Sequence, residues 1–322
     1  MPDPAVSIVI PSWNGRHILE EFLPSVVAGA VRYASVSAAV VEIVVVDDGS
    51  RDDTAPWLAL KAAESPVPIR AVRHETNRGF GQACNTGMQQ ARYPLALLLN
   101  NDVELSRDAI APLVAHFEAP GTTFAVHCQA IDLATNRIAG RGQAGDFRRG
   151  FLRVHDSYEP DAGAQPPFLS MFASGGSAMF DRKLFLELGG FDPLFAPFYY
   201  EDVELSLRAW KRGFEVHYEP ASKVRHRFSS TIGASGRSHI RRISQRNRLF
   251  VHWIHLHQRG WFARHLGWVA LLAVTSPLTL RPTFALSVFD AMRRWPEVRV
   301  RRRRERHAAT RSDAEVLRLV GR

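Results

Sequence analysis

The stretch LLLNNDVEL, residues 97–105, decides how this chain is read: three leucines break off into Asn100, Asn101 and Asp102, followed by Val103 and Glu104. A short continuous apolar run is the mark of a strand buried on both faces. Amides and an acid directly after it set hard oxygen ligands at the strand's carboxyl end, where open α/β sheets bind their ligands. A metal-bound diphosphate suits such an edge.

Working outward, Val6 to Ile10, Val41 to Val46 and Ile69 to Val72 are further strand-like runs, and Arg16 to Val31, Thr54 to Ala63 and Gly81 to Arg92 carry helical periodicity between them. Leu95 to Leu99 is the strand that the quoted stretch completes, and Ser106 is placed to cap a helix running to Phe117. Repeated strand–helix units predict a doubly wound, mostly parallel α/β sheet. After about Phe124 the pattern becomes less regular, and the apolar stretch Phe168 to Phe180 is interrupted by Ser174, Gly175, Gly176 and Ser177. A helix is predicted over Glu201 to Arg212, with Val203, Leu207 and Trp210 on one face and Gly213 at its end, then a strand over Phe214 to Tyr218. Beyond Arg237 the chain reads as helical.

With 322 residues and 46% hydrophobic content the chain can bury a large core. Its two cysteines, Cys84 and Cys128, have no metal-ligand spacing and suggest no disulfide framework, which fits a reducing cytosol. The start Met1-Pro2-Asp3-Pro4 has neither a charged nor an apolar leader region, so no secretory signal is expected. The net charge of +9 is polarised, with most acids in the first two hundred residues and Arg293-Arg294 and Arg301-Arg302-Arg303-Arg304 near the end. Such a run faces anionic lipid or nucleic acid, or is a solvated helix face, with equal weight on sequence alone. Leu266 to Leu280 is apolar but shorter than the roughly 20 residues a bilayer crossing needs, which favours an interfacial or re-entrant pair of helices over a spanning one. A helix packed on the main domain or in a dimer is the plainer alternative.

Several loops carry candidate chemistry. Pro11-Ser12-Trp13-Asn14-Gly15 follows the first strand and Asp47-Asp48-Gly49-Ser50 the second. Each alone is an ordinary turn former, but consecutive parallel strands make them neighbours, where Asp48 could accept from a base N–H while the first loop holds ribose and base. Asn77-Arg78-Gly79-Phe80-Gly81 opens a helix, so its backbone N–H groups can face an anion, with Arg78 adding charge. At the quoted edge Asp102 is the one carboxylate; Asn100 can assist coordination or contact ribose, and a magnesium or manganese ion takes its remaining ligands from water and phosphate.

A second acidic centre, Glu201-Asp202-Val203-Glu204, follows the aromatic loop Phe195-Ala196-Pro197-Phe198-Tyr199-Tyr200. Acids in a helix's first turn are stabilised by the macrodipole, yet flat aromatic faces beside a carboxylate suit a sugar or lipid-sugar acceptor, making Asp202 a candidate general base. His226, followed by Ser229-Ser230-Thr231, offers an imidazole that manganese tolerates.

Taken in order, PSWNG (11–15), VVVDDGSRDDT (44–54), NRGFGQACNTG (77–87), LLLNNDVEL (97–105), ASGGSAMF (173–180), GGFDPLFAPFYYEDVELSLRAWKRG (189–213) and VRHRFSST (224–231) closely resemble glycosyltransferase family 2, across residues 6 to 250. Among its members the rhamnosyltransferase-like and galactofuranosyltransferase-like builders of bacterial cell-surface polysaccharide are most similar. The resemblance implies a GT-A fold, a nucleotide-diphosphate sugar donor, a divalent metal (Mg2+ or Mn2+) and inversion by a single in-line displacement. It implies that Pro11, Ser12, Asn14 and Asp48, with Asp47, Asn77, Arg78, Gly79, Asn100 and Asn101 beside them, hold the donor. By the same resemblance Asp102 and His226 bind the metal, Asp202 with Glu201 beside it is the catalytic centre, and Ser174, Gly175 and Gly176 line the junction of donor and acceptor. Many members have Asp where this chain has Asn100.

The chain then divides into a donor-binding half at residues 1–120, an acceptor-binding and catalytic half of the same domain at 121–236, and a basic helical region at 237–322 that associates with a membrane. A glycan or lipid-linked acceptor and a peripheral position on the cytoplasmic face of the plasma membrane are expected, with oligomerisation open and nucleic acid disfavoured. The rival readings are a sugar nucleotidyltransferase, although Pro11 to Gly15 lacks a basic triphosphate loop, and a non-catalytic basic adaptor acting through Arg301 to Arg304.

Overall fold

The computed structural model describes residues 4–117, 121–158, 168–227, 236–278 and 282–321. The first half alternates as the periodicity predicts. It runs through β1 (Val6–Ser12), α1 (Arg16–Ser37), β2 (Val41–Asp47), α2 (Thr54–Glu64), β3 (Ile69–Arg73), α3 (Phe80–Gln90) and β4 (Leu95–Leu99). After β4 come β5 (Val103–Leu105), α4 (Ile110–Ala115), β6 (Thr123–Asp132), β7 (Ile138–Gly140) and the antiparallel hairpin of β8 (Gly142–Arg148) and β9 (Phe151–Tyr158). Then follow β10 (Phe168–Leu169), β11 (Ser177–Asp181), α5 (Arg182–Glu187), α6 (Glu201–Lys211) and β12 (Glu215–His226). The end is helical: α7 (Arg237–His255), α8 (Arg259–Leu278), α9 (Thr283–Arg293), α10 (Trp295–Ala308) and α11 (Asp313–Val320).

Strands β3, β2, β1 and β4 lie side by side and parallel, and the sheet continues through antiparallel β11 to β6, β12 and β10. Side chains alternate across it, as strand geometry requires. Ile8, Ile10, Ile43, Val45, Leu97 and Leu99 point toward Leu19, Leu23, Leu58 and Leu113 of α1, α2 and α4. Val9, Val44, Val46 and Leu98 point the other way, toward Cys84, Met88, Trp210 and Phe250 of α3, α6 and α7. Helices on both faces bury the central strands completely, the reason these strands read as unbroken apolar runs.

Three expectations are corrected. Ser106 caps no helix: Val103–Leu105 pairs with β12, so Ser106 begins a turn, and α4 starts at Ile110 with no side-chain cap. The half after Phe124 is not irregular; it supplies β6, β11 and β12, whose polar and small residues hide the alternation. The strand expected over Phe214–Tyr218 runs on to His226, with a register shift between Glu219 and Lys223 that lets its far end pair with β5 as well as β6.

Helix α8 covers most of the apolar stretch 266–280; residues 279 and 280 lie outside the described residues. It packs on the β8–β9 hairpin, with Trp261 stacked on Phe147 at 4.5 Å and His265 Nδ1 2.7 Å from the Gly150 carbonyl. Among the described residues no helix is long and apolar enough to cross a membrane.

Candidate active site

Parallel pairing of β1 with β2 sets Pro11 opposite Val46 and Ser12 opposite Asp47, so the first two loops leave the sheet together. Hydrogen bonds then join the loops in series. The Asp48 N–H donates to the Ser12 carbonyl at 2.8 Å, and the Asn14 N–H donates to Ser50 Oγ at 2.8 Å. Asn101 Nδ2 donates to Ser12 Oγ at 3.0 Å, tying the first loop to the end of β4. Gly15 permits this contact, because a Cβ there would sit 2.4 Å from Ser12 Oγ and 2.5 Å from Asn101 Nδ2. Asp47 Oδ1 accepts from the Ser50 N–H at 2.9 Å, and Arg73 stands 3.5 Å from its other oxygen.

Asp48 is an organiser of this edge. Its carboxylate accepts from the N–H groups of Arg78 and Gly79, each at 2.9 Å, and lies 2.6 Å from His74 Nδ1. The expectation that the Asn77–Gly79 turn offers its N–H groups to an anion is therefore corrected for Arg78 and Gly79, whose donors are already spent on Asp48. What this turn presents to an anion is the exposed Arg78 guanidinium, with Asn77 also exposed beside it.

Asp102 and His226 meet because β5 pairs antiparallel with β12, bringing Val103 opposite His226. Asp102 Oδ1 and His226 Nε2 are 3.0 Å apart, and Asp102 is 5% exposed. At this separation the two side chains are hydrogen-bonded to each other, and a carboxylate and an imidazole are both groups that manganese accepts as ligands. Asn100 Oδ1 is a buried acceptor with no hydrogen-bond partner among the described residues, a further oxygen at the same edge. Among the described residues no three His, Cys, Asp or Glu side chains gather for a metal, so an ion here would draw its other ligands from water and phosphate oxygens.

The second acidic centre adjoins this edge through the Ser174–Gly176 turn. The Asn100 N–H donates to the Gly176 carbonyl at 2.9 Å, and the Gly175 N–H donates to Asp202 Oδ2 at 3.2 Å. A Cβ on Gly176 would lie 2.6 Å from Asn100 Nδ2, so only glycine allows this approach. Burial and then the neighbouring Asp202 charge raise the Glu201 carboxyl to about 8. Burial raises Asp202 as well, opposed by the N–H groups of Gly175 and Val203. At about 8 the Glu201 carboxyl keeps its proton at neutral pH.

The structure divides the remaining members of this cluster. Glu204 is structural: burial would raise its carboxyl, but Arg208 and His255 overcome that and hold it at about 2. Phe195 belongs to the core, 1% exposed against Phe250, whereas Tyr199 is 39% exposed beside Phe198. Tyr199 and Tyr200 both take left-handed backbone angles, φ 72° and 73°, an unusual pair for non-glycine residues directly before Glu201. Ser229, Ser230 and Thr231 lie outside the described residues.

What holds the aromatic loop escaped the sequence reading. Asn247, fully buried on α7, has Nδ2 at 2.7, 3.0 and 2.9 Å from the carbonyls of Phe195, Phe198 and Tyr199. Its signal was an amide on the apolar face of α7 formed by Ile243, Phe250 and Ile254. Arg301 forms a bidentate pair with Asp192, whose own carboxylate caps the Pro193–Phe195 turn. Arg302 donates to the carbonyls of Trp253 and Leu256. Half of the arginine run is thus turned inward, leaving Arg303 and Arg304 exposed.

Residues 7–189 match the profile of Glycosyl transferase family 2. The chain is 28% identical over 200 residues to "Probable N-acetylgalactosaminyltransferase 6" of Caenorhabditis elegans, covering 58% of this chain and 32% of that protein. It is 38% identical over 110 residues to "Undecaprenyl-phosphate 4-deoxy-4-formamido-L-arabinose transferase" of Pseudomonas savastanoi pv. phaseolicola, covering 34% of this chain and 32% of that protein. The chain spans about a third of the length of these curated relatives. The fold is similar to that of GalNAc-T7, solved with UDP, GalNAc and Mn2+, at a TM-score of 0.63 and 22% identity over 80% of this chain and 49% of that one. With the profile spanning more than half of its length, the chain belongs to glycosyl transferase family 2 and has the GT-A architecture.

Proposed function

We propose that the protein is an inverting, divalent-metal-dependent glycosyltransferase that moves a sugar from a nucleotide-diphosphate donor to a hydroxyl of a glycan or lipid-linked glycan in cell-surface polysaccharide synthesis. The observation that carries this reading is the Ser174–Gly176 turn, which is bonded at one end to Asn100 and at the other to Asp202. It joins an oxygen-rich, cation-compatible edge to a carboxyl pair able to exchange a proton.

Magnesium or manganese held by Asp102 and His226 would neutralise charge on the leaving diphosphate. The chain's own residues do the rest. Ser12, Asn14 and Asp48 shape the pocket rim for the nucleoside, and Arg78 offers charge to the diphosphate. Asp202 takes the proton of the acceptor hydroxyl as it attacks the anomeric carbon from the face opposite the leaving group. Glu201, raised to about 8 by burial, keeps its proton beside Asp202. Exposed Tyr199 gives the acceptor sugar a flat apolar face.

In the name of the Pseudomonas relative the acceptor is an undecaprenyl phosphate, which supports a lipid-linked acceptor here. On this reading residues 1–120 bind donor, 121–236 bind acceptor, and 237–322 bring the enzyme to an anionic membrane surface on its cytoplasmic side.

The test is a thermal-shift panel of UDP-, GDP- and dTDP-sugars with and without Mn2+. A donor at 100 times its dissociation constant stabilises by about 2.7 kcal/mol. With the donor identified, Asp202→Asn should lower transfer by at least about 100-fold and leave the donor shift intact, since general-base help is worth about 10² to 10⁴. No shift with any donor, or full turnover in D202N, refutes the reading.

A further inference from the structure

A cavity of about 520 Å³ opens between the β8–β9 hairpin and helices α7, α8 and α9, apart from the donor edge. Arg148, Arg149, Arg153, Arg241 and Arg248 line it. Arg153 stands 3.4 Å from Asp146, but among the described residues no carboxylate pairs with the other four. Guanidinium groups gathered in this way make the opening positive. Their planar forks match phosphate oxygens two at a time.

Beside the arginines, and beside the uncharged polar Gln245, Thr275, Ser276 and Thr283, the side chains of Phe151, Leu249, Trp268, Leu272 and Phe284 give the lining an apolar part. A free anion leaves such a surface unused, whereas a phosphate carrying a hydrocarbon chain uses both parts. The helices walling the cavity also expose apolar side chains, Leu271 and Val274 on α8 and Phe289 and Met292 on α9, at 51% to 70% exposure. Arg248 links the cavity to the acid pair: it lies over the Phe151 ring at 4.5 Å, and its charge reaches Tyr200, the residue before Glu201.

We propose that this cavity binds the phosphate and the first hydrocarbon units of a lipid-linked acceptor, resting on the transferase reading above. The arginines hold the phosphate, Trp268, Leu272 and Phe284 hold the chain, and the acceptor sugar extends past Arg248 toward Asp202.

The test uses the full chain and farnesyl phosphate, followed by calorimetry in the absence of donor and metal. Farnesyl phosphate should bind at least tenfold tighter than farnesol or inorganic phosphate. The double variant R148Q/R241Q, on exposed side chains, should weaken it at least tenfold, and R107Q, on a distant surface turn, should not. Trp268→Ala should weaken farnesyl phosphate and leave inorganic phosphate unchanged. Equal binding of inorganic phosphate, equal competition by phosphatidylglycerol vesicles, or an unaffected R148Q/R241Q overturns the assignment. Because no nucleotide sugar enters this measurement, farnesyl phosphate binding through these arginines would stand even if every donor failed, and only the transferase reading would then fall.

Discussion

Replacing Asn247 with Leu tests whether the C-terminal helices shape the acceptor side of the site. The change keeps roughly the same volume in a fully buried position but removes the donor that serves the carbonyls of Phe195, Phe198 and Tyr199. An amide nitrogen carries two protons, so two bonds' worth of carbonyl satisfaction disappears, at about 1–3 kcal/mol for each buried group left unpaired. Burying leucine returns about 1.5–3 kcal/mol. The midpoints of these ranges, about 4 lost against about 2 returned, leave an expected net loss of about 2 kcal/mol, read as a lower urea midpoint with an unchanged m-value. Donor binding should survive, because Ser12, Asp48, Asp102 and His226 make no bond to Asn247, while transfer to acceptor should fall at least tenfold. A stability loss below about 1 kcal/mol, or donor affinity falling in step with transfer, would refute the clamp.

Three further outcomes follow from the same contacts. Gly176→Ala puts a methyl 2.6 Å from Asn100 Nδ2 and should cut kcat about tenfold with the fold intact; Gly260→Ala, in open space on α8, should gain about 0.5–1 kcal/mol, so the reverse ranking in activity and melting assays would contradict the packing. Arg208→Met strands buried Glu204 and should cost about 3–5 kcal/mol in chemical unfolding, partly recovered by adding Glu204→Gln; an additive double variant would deny their coupling. Burial holds the imidazoles of His127, His217, His257 and His265 at about 4 and lowers that of His252 well below its ordinary value. These pKa values lie below the unfolded value of about 6.5, so their contribution is complete above that pH and is lost as pH falls toward 4, up to about 3 kcal/mol each. Glu201, raised to about 8, and Asp202, also raised, act with the opposite sign and gain as pH falls, but they are two carboxyls against five imidazoles. Melting temperature should therefore drop from pH 7 to 5, and a flat profile would show that these histidines are not buried neutral.

What the sequence disclosed and what it hid have physical causes. Strands β1, β2 and β4 are buried on both faces, so apart from Ser7, Ser12, Glu42 and Asp47 their residues are apolar, and their limits are legible to within two residues. Asp102 and Asp202 stood out because each ends or begins a strongly patterned element. The pairing of Asp102 with His226 rests on the register of β5 against β12, which joins residues more than a hundred positions apart and leaves no local trace. Asp48 was read as a ligand acceptor, and no local pattern announces that its carboxylate also receives the N–H groups of Arg78 and Gly79. The arginine run looked like a free basic face, since nothing nearby in sequence announces that Arg301 will find Asp192.

The clamp on the aromatic loop sets an order of events during synthesis. All of the strands, and with them the donor edge, lie within residues 6–226, but the loop before Glu201 takes its bonds from Asn247 and, through Asp192, from Arg301. A growing chain can therefore assemble its nucleotide pocket well before the acceptor side is braced. Ribosome-bound chains that expose residues up to 278 and still hold α10 inside the ribosome should protect a nucleotide yet transfer little sugar, with full transfer appearing only after α10 has emerged. The tether that looked like a membrane anchor is also a timer.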